Sequence, residues 1–210
     1  MPPRIVTLAA LLLAPVAAHA ALVVDIEQKE LAPAGEDRVV YLDVYLQDPD
    51  GRNENLRAFR VSVTGPQNAA SGVRFYAPAT FTMPRTSAAH PWVFEHGLDS
   101  PFPIPTTFDR TGGFYSGEDN PVDVSPTLNG LLGIPVLIPA NTPAGVYTFP
   151  LDPAGTILSS TAYATPGDAR VAPIPFTTGQ PGRITVTPEP ASAAVLLSLP
   201  ACLLLRRRRA

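Results

Sequence analysis

Cysteine is all but missing from this 210-residue chain: its one copy, Cys202, lies close to the C-terminus, and residues 21–187 hold none. That excludes an internal disulfide, a thiolate nucleophile and a cysteine-based metal site in the body of the protein. Lysine is nearly as scarce, with Lys29 the single example, and Trp92 is the only tryptophan. Charged residues make up 16% of the chain. No Gly-rich loop is followed by a lysine, no His-Glu-x-x-His helix occurs, and no Gly-x-Ser-x-Gly elbow appears; a nucleotide cradle, a zinc-protease helix and a hydrolase nucleophile are therefore not written here. Between the two ends no window repeats apolar residues at helical spacing.

What is present begins at the ends. Arg4 is the only charge before Asp25, residues 5–16 are almost wholly apolar, and Ala18-His19-Ala20 places small residues where a signal peptidase cuts. This is the pattern of a secretory signal peptide, with Ala18 and Ala20 marking cleavage. The expected partners at this end are the Sec translocon and signal peptidase. At the other end, Pro188-Glu189-Pro190 precedes an uncharged run, residues 191–205, which stops at Arg206, Arg207, Arg208 and Arg209. Fifteen residues of helix reach about 22 Å, short of a hydrocarbon core of about 30 Å. The run spans a membrane only if Pro190 opens the helix and the arginines snorkel, and Pro200 should kink it. The terminal arginines orient it with the body outside.

These residues, Pro188, Glu189 and Pro190, then the short helix, then Arg206 to Arg209, resemble the PEP-CTERM sorting signal of bacterial exported proteins. The resemblance implies processing by an exosortase-type membrane protease, transit anchored in the inner membrane through residues 191–205, and a final place at the cell surface or in an extracellular matrix linked to exopolysaccharide. It covers about a tenth of the chain and is silent about the body.

Subtracting both ends leaves residues 21–187, enough for one domain with a sizeable core. Ten basic and 17 acidic residues give this body a formal charge of −7, which the tail arginines mask in the total of −3. An acidic body has no footprint for nucleic acid. The 26 prolines and 15 glycines are spread singly between short apolar runs, as turns between strands. The clearest strand is 38–46: Val40, Leu42, Val44 and Leu46 share one face, and Val39, Tyr41, Asp43 and Tyr45 share the other. Others are expected at 22–26, 57–64, 73–76, 80–83, 92–94, 122–124, 131–138 with a break at Pro135, 145–151, 156–159 and 183–187. Pro101, Pro103 and Pro105 confine residues 99–108 to an edge strand or loop.

Many short strands with frequent turns point to an all-β fold, an antiparallel β-sandwich of Ig-like or jelly-roll type. The expected organisation is a signal helix at 1–20, a sandwich ectodomain at 21–163, a Pro/Gly/Thr-rich loop with the last strand at 164–187, and the sorting segment with its transmembrane helix at 188–210. The stretch Leu31-Ala32-Pro33-Ala34-Gly35, the strand 38–46 and the run Glu54 to Val63 resemble the opening hairpin of cohesin-type bacterial surface sandwiches; Ile138-Pro139-Ala140-Asn141-Thr142-Pro143 through Phe149 resembles their closing strand. That implies the fold and no particular ligand.

Few residues invite a site. Asp48, Asp50, Asn53 and Asn55 crowd oxygen atoms into one loop, the donor set calcium prefers, although the glycine and glutamate positions of an EF-hand are not matched and a plain Asx turn fits equally. Trp92 with Phe94, or Phe75 with Tyr76, offers an aromatic surface for sugar stacking; the same residues suit a sandwich core. His90 and His96 with Glu95 and Asp99 are too far apart on a strand to share a metal without a turn. Gly112 to Gly117 reads as a flexible loop, and Glu118-Asp119 as part of it. The sequence thus points to an exported, non-enzymatic envelope or matrix protein with a structural or adhesive role. A carbohydrate- or calcium-binding sandwich is the alternative. No cofactor is expected; calcium at that loop is the one candidate.

Overall fold

The computed structural model describes residues 21–51, 55–66, 71–76, 93–94, 102–103, 110–116 and 122–188. The strands run β1 (Leu22–Ile26), β2 (Gln28–Leu31), β3 (Arg38–Gln47), β4 (Asn55–Leu56), β5 (Ala58–Thr64), β6 (Arg74–Phe75) and β7 (Phe102–Pro103). They continue with β8 (Arg110–Ser116), β9 (Val122–Asp123), β10 (Asn129–Ile138), β11 (Gly145–Phe149), β12 (Ile157–Ser159), β13 (Phe176–Thr178) and β14 (Gly182–Val186). No helix of the described residues is long and apolar enough to cross a membrane. Residues 191–205, where one was expected, lie outside the described residues.

One layer is a five-stranded sheet in the order β13-β1-β3-β10-β6. The other is built from β12-β5-β8-β7 and β11-β14-β2, joined where Val63 of β5 bridges Leu151 just past β11. A small ribbon, β4 with β9, closes one end. Strand alternation explains the core. Leu22, Val24 and Ile26 of β1 and Leu42, Val44 and Leu46 of β3 point inward from the first layer; Phe59, Val61 and Val63 of β5 and Ile184 and Val186 of β14 do so from the second. Ring contacts knit the core: Phe75 of β6 lies 5.7 Å from Phe149 of β11, and Phe59 stacks on Phe94 at 5.9 Å.

The sandwich is not purely antiparallel. The first long extended segment breaks at Glu27 and changes layers there: Ile26 pairs with Val44, whereas Gln28 pairs with Arg183. Each half then takes a parallel partner, β1 with β13 and β2 with β14. The expected break at Pro135 does not occur. Pro135 sits inside β10 opposite Tyr41, and its carbonyl accepts the Tyr76 amide at 3.0 Å. N–H and C=O of one strand residue point the same way, so the missing donor faces the two-residue edge strand β6 and leaves the long β3 ladder intact. The glycine pair expected in a flexible loop is likewise strand: Gly112 and Gly113 belong to β8 and pair with Ser62 and Val61.

Candidate functional site

The outward face of the five-stranded sheet gathers the most chemistry. On β3, Tyr41, Asp43 and Tyr45 alternate with the buried Leu42, Val44 and Leu46, so they share the outer side. Their cross-strand partners on β10 are Pro135, Gly133 and Gly130, and on β1 Asp25 stands opposite Tyr45. Antiparallel pairing carries the Tyr41–Pro135 row one strand further. Arg74 pairs with Leu137 and Phe75 with Val136, which puts Tyr76 beside Pro135 on the outer side. Tyr76 and Val39 are 39% and 38% exposed, the outer limits of this face.

The carboxylates of this face are held by backbone amides and Lys29 and, for Asp43, by Tyr45. Glu27 accepts the Asp43 amide at 3.1 Å and the Lys29 ammonium at 2.9 Å. Asp25 accepts the Gln180 amide at 2.6 Å. Burial above all, then the negative charges of Glu27 and Asp43 and a hydrogen bond to Asp43, hold the Tyr45 phenol well above the ordinary tyrosine range. Tyr45 therefore stays protonated at any physiological pH.

The oxygen-rich loop is spread out. Asp48 is fully buried, its amide donating to the Ser125 carbonyl at 3.1 Å and its carbonyl accepting from Gly51 at 3.2 Å. Gly51 takes φ of +64°, the left-handed conformation a tight turn needs. Asp50 and Asn55 are exposed, and Asn53 lies outside the described residues. Among the described residues no three His, Cys, Asp or Glu side chains gather where they could hold a metal ion. Turn chemistry accounts for Asp48 and Gly51 as they stand. Next to this turn, buried Asn129 donates from Nδ2 to the carbonyls of Leu46 (3.3 Å) and Thr127 (2.8 Å), anchoring the chain before β10 to β3.

The aromatic alternatives divide. Phe75 and Phe94 are core residues, 2% and 5% exposed, because the inward side of β6 and the stack on Phe59 claim them; neither presents a ring to a sugar. Trp92, His90, Glu95, His96, Asp99, Glu118 and Asp119 lie outside the described residues, as do Ala18, Ala20, Glu189, Pro190 and Arg206 to Arg209. Pro188 is exposed at the end of the described chain. The row Tyr76–Pro135–Tyr41 was not singled out from the sequence. The alternation at 38–46 carried its signal, but only register across β10 and β6 shows that the row is continuous.

The long loop before β13 is held by a local clamp. Arg170 donates from Nε and Nη2 to Asp168 at 3.0 and 2.8 Å, and its guanidinium lies 3.8 Å over the Tyr163 ring. The hydrogen bonds from the Arg170 side chain and backbone pull the Asp168 carboxyl down to about 2. A depressed carboxyl stabilises the fold fully above its unfolded value of about 4 and ceases to do so as pH falls toward 2. Carboxyl-carbon NMR should give an Asp168 midpoint near 2, and Arg170→Ala should raise it part of the way toward about 4, because the backbone amide of residue 170 still donates to Asp168. A midpoint already ordinary in the unsubstituted protein would show that the clamp does not form.

Solved structures share this layering. The chain is similar to CaCohA2 from Clostridium acetobutylicum at 16% identity, covering 80% of this chain and 92% of that one with a TM-score of 0.51. It is similar to the seventh ScaB type I cohesin from Pseudobacteroides cellulosolvens at 11% identity, 81% and 96% coverage and a TM-score of 0.51. A third is the sixth cohesin of scaffoldin B from Acetivibrio cellulolyticus, solved in complex with a Cel5 dockerin, at 9% identity, 80% and 99% coverage and a TM-score of 0.50. The body is a cohesin-like β-sandwich. No family model matches the chain, and no curated protein matches its sequence.

Proposed function

We propose that this chain is an exported, non-enzymatic binding module that holds a partner protein at the cell envelope or in the extracellular matrix. The observation that carries the reading is the cohesin-like layering across some four-fifths of the chain, since a cohesin of this layering has been solved holding a dockerin. The sequence supplies the address. Ala18-His19-Ala20 supports cleavage and export, and Pro188-Glu189-Pro190 with Arg206 to Arg209 supports sorting through a PEP-CTERM signal. The acidic body suits a soluble surface domain.

The test joins location to partner. Mass spectrometry of the surface-released form should find an N-terminus at Ala21 and no peptide reaching Arg209. Crosslinking on intact cells should capture the chain with one stoichiometric protein, and the two purified proteins should re-form a complex on mixing. A chain retained in the cytoplasm with Met1 in place would end the export reading. A surface form that neither crosslinks to nor re-forms a complex with any protein would end the binding reading.

A further inference from the structure

We propose that this chain pairs with a second copy of itself through the open edge of β2, antiparallel, with the two-fold axis at Lys29. This concerns an edge of the sandwich and does not rest on the partner-protein reading above.

The outer side of β2 is unused. The strand ends the sheet β11-β14-β2. The amides of Arg183 and Thr187 donate to the carbonyls of Glu27 and Leu31 at 3.1 and 2.9 Å, so the odd-numbered residues of this segment turn their backbone groups toward β14. N–H and C=O of one strand residue point the same way, so those of Gln28 and Glu30 point away from the sheet. No hydrogen bond among the described residues reaches them. Gln28 and Glu30 are both exposed, so the edge lies open to solvent.

On backbone grounds an unpaired edge accepts any strand; the side chains decide which one. With the axis at Lys29, Gln28 of each copy stands opposite Glu30 of the other, and each such pair exchanges both backbone bonds. The side chains agree with that register. Gln28 donates one Nε2 hydrogen to Gln180 at 2.6 Å and keeps the other for the facing Glu30 carboxylate. Arg183, exposed beside Gln28 on β14, adds a positive charge to the same row. Lys29 meets its own copy at the axis, yet each ammonium already holds Glu27 at 2.9 Å. The lysine that would guard an edge against pairing thus brings its counter-charge with it. Other registers clash. An axis at Glu30 sets Glu30 against Glu30, and Gln28 against Ala32, whose carbonyl already accepts Arg38. An axis at Gln28 sets Glu30 against Ile26, whose amide donates to Gln180 where the chain changes layers. A two-fold pairing uses the edge of both copies, so assembly on it stops at the dimer.

The experiment is sedimentation equilibrium of the full chain in mild detergent, joined to cysteine crosslinking. A reversible dimer is expected. Gln28→Glu and Glu30→Lys should each raise its dissociation constant about tenfold, because the axis counts every pair twice, and the two together should restore it. Both alter exposed side chains, so the fold should survive them, as circular dichroism would verify. Facing residues of a non-hydrogen-bonded antiparallel pair have Cα atoms about 4.5 Å apart, within disulfide reach. Lys29→Cys on a Cys202→Ala background should therefore give a covalent dimer under mild oxidation, and Val146→Cys, exposed on β11 at the far side of the sheet, should not. Three results would overturn the inference: a monomer at every concentration, equal dissociation constants for the original chain and Glu30→Lys, or a double variant that dimerises no better than the single ones. A monomer whose Glu30→Lys variant loses a captured partner protein would assign the edge to that protein instead.

Discussion

Replacing Phe59 with alanine should cost about 3–5 kcal/mol, as expected for truncating a large fully buried ring. Phe59 is fully buried on β5 and stacks on Phe94 at 5.9 Å, so its removal takes away a large transfer free energy and leaves a void beside that ring. Pairing on both sides of β5, with Leu158 and Tyr115, pins the backbone, so the void has little means of collapsing. Because domains are stable by only about 5–15 kcal/mol, the variant should sit near or below the folding threshold at growth temperature. Urea unfolding monitored by circular dichroism measures it, with Val39→Ala as a control expected to change stability by under about 0.5 kcal/mol. A Phe59→Ala loss below 1 kcal/mol would contradict the packing described for β5.

Gly182→Val should also destabilise the fold, for the reverse reason. Gly182 opens β14 opposite Phe149. A Cβ there would lie 2.6 Å from Cγ2 of Ile26 and 3.3 Å from the Cβ of Phe149. Its φ is not positive, so the requirement is for space alone. Added carbons must displace Ile26 just where β1 ends and the chain changes layers, and overpacking of this kind costs about 1–3 kcal/mol, more when backbone must move. For a domain of this size that is a fall in Tm of roughly 3–10 °C or more, read by calorimetry. An unchanged Tm would mean that Ile26 and β14 do not meet.

Local pattern made the central strands legible. Alternation at 38–46 gave the correct inward and outward faces of β3, and β-branched runs located β1, β5, β11 and β14 within a residue or two. Non-local pairing hid the rest. β2 is a polar segment, Gln-Lys-Glu-Leu, and β13 lies inside a stretch rich in proline and glycine; each is a strand because a parallel neighbour supplies its hydrogen bonds. Glycines in β8 spoke for a loop, yet pairing with β5 from Ala58 to Thr64 holds it extended. The outer row was hidden for a related reason. Tyr41, Pro135 and Tyr76 are far apart along the chain, and Pro135 was read as a breaker when it is the middle of the row.

The parallel pair β2–β14 also determines how the body carries a load. β14 runs directly into residue 187, whose amide donates to the Leu31 carbonyl at 2.9 Å, and the residues beyond carry the proposed sorting segment. Tension entering there pulls β14 along its own axis, so it strains the bonds from Gln28–Arg183 to Leu31–Val186 together, in shear. An antiparallel hairpin pulled by its free ends opens like a zipper, one bond at a time. A module tethered through this strand should therefore resist extension as a unit before any strand peels away.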